Sequence, residues 1–544
     1  MKKTFTFLAS LLLILLCCSL FAQTQEAKSH YIPFKAGGPG LYGLDVIIDN
    51  QPSVNQREVC LSVATNGWLY AAFNTFDGAY GGLKIMRSTD DGETWMEISS
   101  LALPDWREDQ LDIVVAGYYP DLKLFVAGVA VVPSTGEHRA WVDRYNGVTG
   151  AFETEFYYFS SPNTIYDIAI ASDYKWPAVG ASPYSVAALY SMYTPSQDEL
   201  YFISSSDGGY TMDNIQTLET TGSYYDKVSL SYGKCWNYFN GRYFAAWEKT
   251  CGYLSRIGQI WSAHCQTFFN GAWTAPLRLD DLAGSSAENM CRNPSFGTQF
   301  NETDNDLSNV TGVVLFDRDW DGTGTDYDLI GVYNKEAVST DNWTRFDIRN
   351  DFENVFQSDI NFDPVYNNFL VTFCDSTNQS LDYVIQWQNL PTPDTWSYIA
   401  THYNEVDNLV APYPKVEINP MVQEVAHVWN GNRPGGNGMA TFDAEYSTLG
   451  IPGSGTGMTA SNVNVFPNPC STTATLFVNL TSNDQVSARL LSVTGQEKAI
   501  LVNGELKAGE NRINFDVTNL QAGYYLVEVN ATAFKSTERI VVTH

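Results

Sequence analysis

The sequence predicts an all-β protein in which a seven-bladed β-propeller is followed by a small C-terminal β-sandwich. Three observations lead to this fold class. Seven units of similar length recur between residues 57 and 448, and none of them shows the periodicity of an amphipathic helix. A glycine-rich stretch then separates these units from a second series of short, alternating strands. A six-bladed ring is the alternative if one unit is assigned wrongly.

Each of the seven units begins with a short alternating strand, which a more apolar strand follows. The apolar strands are centred near residues 71, 126, 188, 245, 313, 371 and 427, and this spacing fits a four-stranded blade. Because a single sheet cannot bury both of its faces alone, we expect the blades to pack against one another in a closed ring. Residues 41–49 are expected to add a strand to the last blade and so to latch the ring.

Residues 1–22 have the composition of a secretory signal peptide. Two lysines precede an apolar run that ends at Phe21, and the small Ala22 provides the expected cleavage site. No later stretch approaches the roughly 18 continuous apolar residues of a membrane-spanning helix, so we expect no membrane span after removal of the signal. The propeller is then expected to occupy residues 23–449.

The composition narrows the possible partners. The formal net charge is -30, from 61 acidic and 31 basic residues, and an acidic surface of this kind repels nucleic acids and anionic membranes. The same surface is compatible with divalent cations. Seven cysteines follow the signal peptide. In an exported protein we expect disulfides among them, with at least one thiol unpaired because their number is odd.

A polar motif recurs at one position of the repeat. Segments 88–95 and 205–211 share the pattern S-x-D-x-G-x-T, while a third copy at 339–344 lacks the glycine. Aspartate and serine side chains bond to the backbone of tight turns, and glycine adopts positive φ there. We therefore place the motif in the hairpin turn between the third and fourth strands of a blade. The predicted structural residues are Ser88, Asp90, Gly92, Thr94, Trp95, Ser205, Asp207, Gly209 and Thr211.

This pattern resembles the Asp-box, or BNR, repeat of sialidases and related propellers, which implies that these turns are architectural and lie away from a catalytic face. Sialidase chemistry also needs three clustered arginines, and the early arginine motif of that family is missing. Glu248 is a carboxylate near the expected ring face, for which a solvated rim position is the favoured interpretation. No catalytic residue is assigned. Arginines that a ring could bring together include Arg57, Arg144, Arg242, Arg292 and Arg318.

The run from Asp317 to Asp328 has the ligand spacing of an EF-hand-type calcium loop. Acids at positions 1, 3 and 5, a glycine at 6 and an acid at 12 present the oxygen ligands that Ca²⁺ prefers. The last acid is aspartate instead of glutamate, and no helical pattern flanks the loop. We predict Ca²⁺ as a structural cofactor, with a solvated acidic turn as the alternative. The predicted ligands are Asp317, Asp319, Asp321, Thr323 and Asp328.

Residues 450–460 form a glycine-rich linker, and residues 461–544 alternate in six short strands that favour a small β-sandwich. The segments VFPNP at 465–469, LSVTG at 491–495 and LQAGYYL at 520–526 occur in this order. They resemble the C-terminal sorting domain of the type IX secretion system of Bacteroidota. The resemblance implies the type IX machinery as a partner and export across the outer membrane, followed by release or surface attachment.

Together these features predict a secreted or cell-surface propeller that binds a glycan or a surface protein without catalysing a reaction. A sialidase-like glycoside hydrolase is the alternative. The two hypotheses differ at the ring axis, because three arginines with a Tyr–Glu pair there would indicate the enzyme.

Overall fold

The computed structural model divides the chain into two compact units, Lys35–Ile451 and Pro452–His544. The predicted signal peptide and the predicted linker beyond Gly450 lie outside the described residues. The structure describes residues 46–49, 55–76, 81–103, 107–117, 119–173, 185–195, 197–211, 214–221, 224–235, 241–251, 257–265, 271–280, 290–301, 310–319, 327–339, 343–349, 355–363, 368–375, 380–387, 396–400, 413–419, 424–432, 442–450, 463–466, 472–480, 483–492, 496–507, 509–521, 523–532 and 535–542.

Every regular element of these residues is a strand, so none of them forms a helix that could cross a membrane. Strand β1 (Val46–Ile47) precedes the first sheet. The first sheet contains β2 (Asn55–Val63), β3 (Leu69–Phe76), β4 (Gly81–Ser88) and β5 (Met96–Leu103). The second contains β6 (Arg107–Ala116), β7 (Lys123–Val132), β8 (Glu137–Asn146) and β9 (Phe152–Ser161), and the third contains β10 (Ile165–Ser172), β11 (Val186–Tyr193), β12 (Asp198–Ser205) and β13 (Asn214–Thr221).

The remaining sheets of this unit follow the same antiparallel order. The fourth contains β14 (Tyr224–Cys235), β15 (Arg242–Cys251), β16 (Ile257–His264) and β17 (Leu277–Arg278). The fifth begins with β18 (Met290–Thr298), and β19 (Phe300–Asn301) returns to pair with β14 before β20 (Gly312–Asp319), β21 (Tyr327–Asn334) and β22 (Thr344–Arg349) complete it. The sixth contains β23 (Val355–Asp363), β24 (Asn368–Asp375), β25 (Ser380–Trp387) and β26 (Trp396–Ala400), and the seventh contains β27 (Lys415–Asn419), β28 (Glu424–Asn432) and β29 (Phe442–Gly450).

The seven sheets of the described residues form a closed ring. The first strand of each sheet contacts the first strand of the next, and β27 of the last sheet contacts β2 of the first. Strand β1 pairs with β29, in the register Val46 opposite Tyr446, so the seventh sheet also has four strands. The predicted latch is therefore present, and the first and partner strands of all seven predicted units lie where the repeat places them.

Apolar side chains fill the spaces between neighbouring sheets. The cluster between the second and third sheets, for example, joins Phe125 and Val142 to Ile168 and Tyr190, all of them buried. Burial of side chains of this size contributes about 1.5–3 kcal/mol each relative to leaving them exposed. Each sheet buries both faces only because it has two neighbours, which is the reason for a closed ring.

A repeated hydrogen bond also joins the first strands. A serine or aspartate of one first strand accepts a hydrogen bond from a backbone N–H of the next first strand, at six of the seven junctions described. The pairs are Ser62 with Val115 (3.0 Å), Asp112 with Ile170 (2.9 Å), Asp167 with Val228 (2.9 Å), Ser229 with Phe296 (3.0 Å), Ser295 with Ile360 (3.2 Å) and Asp359 with Val416 (2.9 Å). These bonds give the recurring aspartates at the strand starts a structural role.

The expected disulfides are wrong for four described cysteines. Cys60, Cys265, Cys291 and Cys374 carry buried thiols. They belong to the first, fourth, fifth and sixth sheets, respectively, and the first three lie in different apolar clusters. The physical reason is packing, since a small buried thiol behaves as an apolar side chain.

The second unit is a small β-sandwich. One sheet contains β30 (Val463–Phe466), β31 (Thr473–Leu480) and β34 (Gly509–Asp516). The other contains β32 (Asp484–Ser492), β33 (Glu497–Leu506), β35 (Gly523–Asn530) and β36 (Lys535–Val542). Buried side chains such as Leu476 and Val527 form the core between them. Sequence reasoning missed β33, because this strand is largely exposed and carries no apolar alternation.

Candidate functional site

A cavity of about 280 Å³ runs along the ring axis of the first unit. Residues from the first strands of all seven sheets line it. At this axis the ring brings together segments that are distant in the sequence. Propeller axes are also concave sites in which polar groups can converge on a small ligand.

One rim of this cavity is shaped by β-bulges. Six of the first strands have an irregular register near their start, at Arg57/Cys60, Glu108/Gln110, Ile165/Asp167, Tyr225/Val228, Arg292/Ser295 and Phe356/Asp359. A bulge bends a strand and redirects its side chains, and bulges are frequent next to functional sites. Three of these irregular stretches contain a non-glycine residue with positive φ, namely Glu58, Asn293 and Gln357, and a fourth such residue, Tyr413, precedes the first strand of the seventh sheet. We call this end of the propeller the bulge rim.

Two lysines extend into the cavity at the bulge rim. Nζ of Lys227 donates to Oε1 of Gln110 at 2.7 Å and lies 3.7 Å from Asp167. Nζ of Lys415 lies 3.5 Å from Oδ1 of Asp359, whose carboxylate raises the pKa of this lysine. Burial alone would lower the pKa of Lys227, but the charges of Asp167 and of further acidic groups such as Glu58 together outweigh burial and raise it. Both side chains therefore carry a full positive charge within the cavity.

A chain of hydrogen bonds crosses four blades at the same rim. The backbone N–H of Asn293 donates to Oε2 of Glu248 at 3.2 Å, and Nδ2 of Asn293 donates to Oδ2 of Asp317 at 2.6 Å. The N–H of Gln357 donates to Asp317 at 3.1 Å. The N–H of Tyr413 in turn donates to Oε1 of Gln357 at 3.2 Å. This chain fixes the bulged residues of the fifth, sixth and seventh blades relative to the fourth.

Both carboxyl groups of the chain have raised pKa values. Burial, followed by the nearby charge of Asp226, raises the pKa of Glu248 to about 8. Burial also raises the pKa of Asp317 to about 7, against the hydrogen bonds from Asn293 and Gln357. Glu248 lies at this rim, but the expectation that it is solvated is wrong, because its side chain lies in the interior and only 6% of the residue is exposed.

The candidate arginines do not all lie at this rim. The guanidinium of Arg292 lies 3.8 Å from the ring centre of Tyr327, next to the bulge at Asn293. Arg144 instead donates to the backbone of Gly209 at 2.8 Å, in a turn at the opposite end of the ring. Arg242 begins a second strand, which also places it at that opposite end. Arg318 is fully buried, and the side chain of Arg57 lies outside the described part.

The two polar turn motifs lie between the third and fourth strands of their sheets, as predicted. Strands within each sheet are antiparallel, so these turns are at the end opposite the bulge rim, which we call the turn rim. In the first motif, Oγ of Ser88 donates to Asp90 at 2.8 Å and accepts from the N–H of Gly92 at 2.8 Å. The N–H and Oγ1 of Thr94 donate to Asp90 at 3.0 and 2.6 Å. Trp95 packs against the apolar cluster next to this turn.

The second motif repeats this geometry. Oγ of Ser205 donates to Asp207 at 2.7 Å and accepts from Gly209 at 3.0 Å, while the N–H and Oγ1 of Thr211 donate to Asp207 at 2.9 and 2.6 Å. Gly209 has φ of +74°, and a Cβ there would lie 2.3 Å from the ring of Phe125. These aspartates are thus occupied by their own turns. The resemblance to Asp-box repeats stays a prediction, and residues 340–342 of the third copy lie outside the described residues.

The predicted calcium ligands are only partly described. Asp317 and Asp319 lie in β20 and Asp328 lies in β21, whereas Asp321 and Thr323 lie outside the described residues. Asp328 is paired with the residue between the other two, so in this register its side chain is on the opposite face of the sheet. Among the described residues no three acidic, histidine or cysteine side chains are grouped as a metal site. Calcium binding therefore stays a prediction.

Sequence reasoning missed most of the cavity residues. Gln110, Lys227, Gln357 and Lys415 each stand one or two residues before the apolar alternation of a first strand, and in a single unit such residues resemble loop residues. Alignment of the seven strand starts would have shown a polar side chain at this position in most units. A polar residue that recurs at this position would have indicated the cavity, whereas the pattern of hydrophobic residues alone does not.

Several solved structures are similar to this chain. They include an α-L-arabinofuranosidase from Fusarium graminearum (12% identity, 74% of this chain and 97% of that chain, TM-score 0.42). An α-L-arabinanase from Penicillium chrysogenum is similar at 10% identity, covering 75% and 98%, with a TM-score of 0.43. A lectin from Aleuria aurantia has 10% identity, covering 64% and 96%, with a TM-score of 0.34. With TM-scores below 0.5 these likenesses carry no argument, and the propeller rests on its own sheet order. Comparison with curated proteins gave no match.

The β-sandwich unit gives a family match. Residues 464–543 match the family described as secretion system C-terminal sorting domain, and they include every strand of the sandwich apart from the first residue of β30. This match confirms the resemblance that the VFPNP, LSVTG and LQAGYYL segments indicate. Residues 464–543 are thus a type IX secretion system C-terminal sorting domain, and the protein that carries it interacts with the secretion machinery and is exported, to be released or held at the outer-membrane surface.

Proposed function

We propose that the propeller is a non-catalytic glycan-binding module whose ligand occupies the cavity at the bulge rim. The observation that carries the proposal is the convergence of polar side chains from successive blades on one cavity of about 280 Å³. This volume is close to the lower end of the range for small-molecule sites, which suits a chain end or a short oligosaccharide.

The chemistry of the rim supports a sugar as the ligand. Sugar hydroxyl groups both donate and accept hydrogen bonds, so a sugar site needs groups of both kinds. Gln110 and Gln357 supply amides, Lys227 supplies a charged donor, Glu58 supplies a carboxylate, and Tyr413 supplies an aromatic ring with a polar end. Because the hydrogen-bond chain through Asp317 holds the bulged backbone in place, little of the binding free energy is lost to ordering the rim.

The experiment is a titration of the full exported chain with a panel of neutral and acidic oligosaccharides, measured by calorimetry. Lys227→Met should weaken binding of the recognised oligosaccharide by at least about tenfold, because a charged hydrogen bond contributes about 1.5–3 kcal/mol. Lys335→Met is the matched control, since Lys335 is exposed and follows the third strand of the fifth blade at the turn rim. Equal affinities in the wild type and Lys227→Met, or no binding to any glycan, would contradict the proposal.

A glycoside hydrolase is the second candidate, and one observation favours it. Glu248 and Asp317 are two carboxyl groups with raised pKa values, both bonded to Asn293, and paired carboxyls with tuned pKa values perform glycoside hydrolysis. Asp317, however, accepts three hydrogen bonds that hold the rim together, which is a structural role. Release of reducing sugar by the wild type and its loss in Glu248→Gln would establish the hydrolase in place of the binding module.

A further inference from the structure

Arg292 is a cation beside the bulge rim, and the next residue, Asn293, lines the axial cavity. The Nε of Arg292 is buried and has no hydrogen-bond partner among the described residues. Its guanidinium carbon lies 3.8 Å from the centre of the Tyr327 ring. A stacked ring orients a guanidinium without neutralising it. A buried polar nitrogen that stays unpaired is costly, so a ligand that pairs with it gains free energy.

Groups of both signs surround Arg292. Burial raises the pKa of Glu248, which interacts electrostatically with Arg292, to about 8, so this carboxyl group is largely protonated at neutral pH. Lys227 lies in the same electrostatic neighbourhood and adds a second positive charge. The charged and titratable groups that face this position are Asp226 and Lys227 of β14, Glu248 of β15, Asp317 and Asp319 of β20, Tyr327 of β21, and Tyr413 before β27.

We propose that the ligand of the bulge rim carries an anionic group, a carboxylate or a sulfate ester, which pairs with the guanidinium of Arg292 while the sugar ring occupies the axial cavity. This inference rests on the proposed glycan-binding function and names the ligand class of that site. The planar guanidinium offers two parallel N–H donors to such a group. The positive charge of Arg292 also distinguishes this position from the rest of the chain. With a net charge of -30, the chain repels anions over most of its surface.

The test compares oligosaccharides that differ only in charge. Calorimetric titration of the full exported chain uses oligogalacturonate against its methyl ester for the carboxylate, and dextran sulfate against dextran for the sulfate. We expect one acidic probe to bind about 10- to 100-fold more tightly than its neutral counterpart. Arg292→Gln should remove this preference, and Arg292→Lys should retain part of it. Arg345→Gln makes the same change of charge in the outer strand β22 and should leave the preference intact.

The pH dependence of wild-type binding gives a second measurement that needs no variant to fold. As the pH rises from about 6 to about 9, Glu248 loses its proton and places negative charge beside Arg292. Affinity for the acidic probe should therefore fall over this range, while affinity for its neutral counterpart stays constant. A merely structural role of Arg292 would not produce this difference between the two probes.

The outcomes separate this inference from the proposed function. If the neutral probes bind as tightly as the acidic ones and their binding depends on Lys227, the glycan-binding function stands and the anionic ligand is refuted. Equal preference in the wild type and Arg292→Gln refutes the role of Arg292. If no oligosaccharide binds, the proposed function fails, and the inference that rests on it fails with it.

Discussion

Substitution of Glu248 by glutamine tests whether the carboxyl group beside Arg292 is protonated in the folded protein. The residue is 6% exposed, and burial raises its pKa from the ordinary 4.5 to about 8. An acid with a raised pKa in the folded state binds its proton more tightly there than in the unfolded chain. Its contribution to stability is therefore favourable below pH 4.5 and is lost as the pH rises through about 8.

The expected magnitude follows from the two pKa values. Their difference, at about 1.36 kcal/mol for each pH unit, corresponds to about 5 kcal/mol of lost stability at alkaline pH, as an upper value. Glutamine keeps an oxygen that can accept the hydrogen bond from the N–H of Asn293 and never ionises. Glu248→Gln should thus match the wild type near pH 4.5 and exceed it by several kcal/mol near pH 9.

The assay is equilibrium urea unfolding at several pH values, followed by tryptophan fluorescence. All 14 tryptophans of the chain lie between residues 46 and 450, so the signal reports on the propeller unit and not on the sorting domain. Glu336→Gln is the matched control, because Glu336 is exposed at the turn rim and the chemical change is the same. A variant that loses stability equally at every pH would show that Glu248 is ionised in the fold. That result would also mean that Glu248 places a negative charge beside Arg292 at neutral pH.

Two further predictions concern residues that the sequence singled out. Asp207→Ala should lower the free energy of unfolding by about 1–3 kcal/mol at neutral pH, because its carboxylate accepts bonds from Ser205 and Thr211; an unchanged urea midpoint would contradict this role. Burial would raise the pKa of Asp207, but these bonds lower it, so the stabilisation should disappear as the pH falls through this lowered pKa. For calcium, Ca²⁺ should raise the melting temperature of the wild type and leave that of Asp321→Asn unchanged, whereas an equal rise in both would indicate that this loop does not bind the ion.

The ring itself could be predicted because every blade must bury both faces of its sheet. A first strand and a more apolar partner must bury two faces, so their hydrophobic pattern recurs at nearly constant spacing and gives all seven strand pairs. The latch could be predicted for a similar reason, because the edge of the last blade needs a partner. Strand β33 could not be predicted from the sequence. It is an exposed strand held by backbone pairing to β32, and such pairing does not require a particular pattern of hydrophobic residues.

The cavity residues were harder to predict, because a bulge is not a property of one residue. Lys227 and Gln357 reach the axis since the backbone before Val228 and Asp359 contains extra residues relative to the partner strand. The sequence shows those residues as polar positions at a strand start, where polarity is common. Glu248 was misjudged for a related reason, because the strand that carries it is apolar and the closure of neighbouring blades determines its burial.

The two rims of the propeller show why polarity alone is a poor guide to function. At the turn rim, Asp90 and Asp207 look reactive in the sequence, yet each accepts several hydrogen bonds from its own turn, so little bonding capacity is left for a ligand. At the bulge rim, backbone bonds fix Asn293 and Gln357, and the buried Nε of Arg292 has no hydrogen-bond partner among the described residues. A site that recognises a ligand needs polar groups that are held in place without being saturated. By that criterion, binding should be measured at the axis of the ring and not at the polar turn motifs of Asp90 and Asp207.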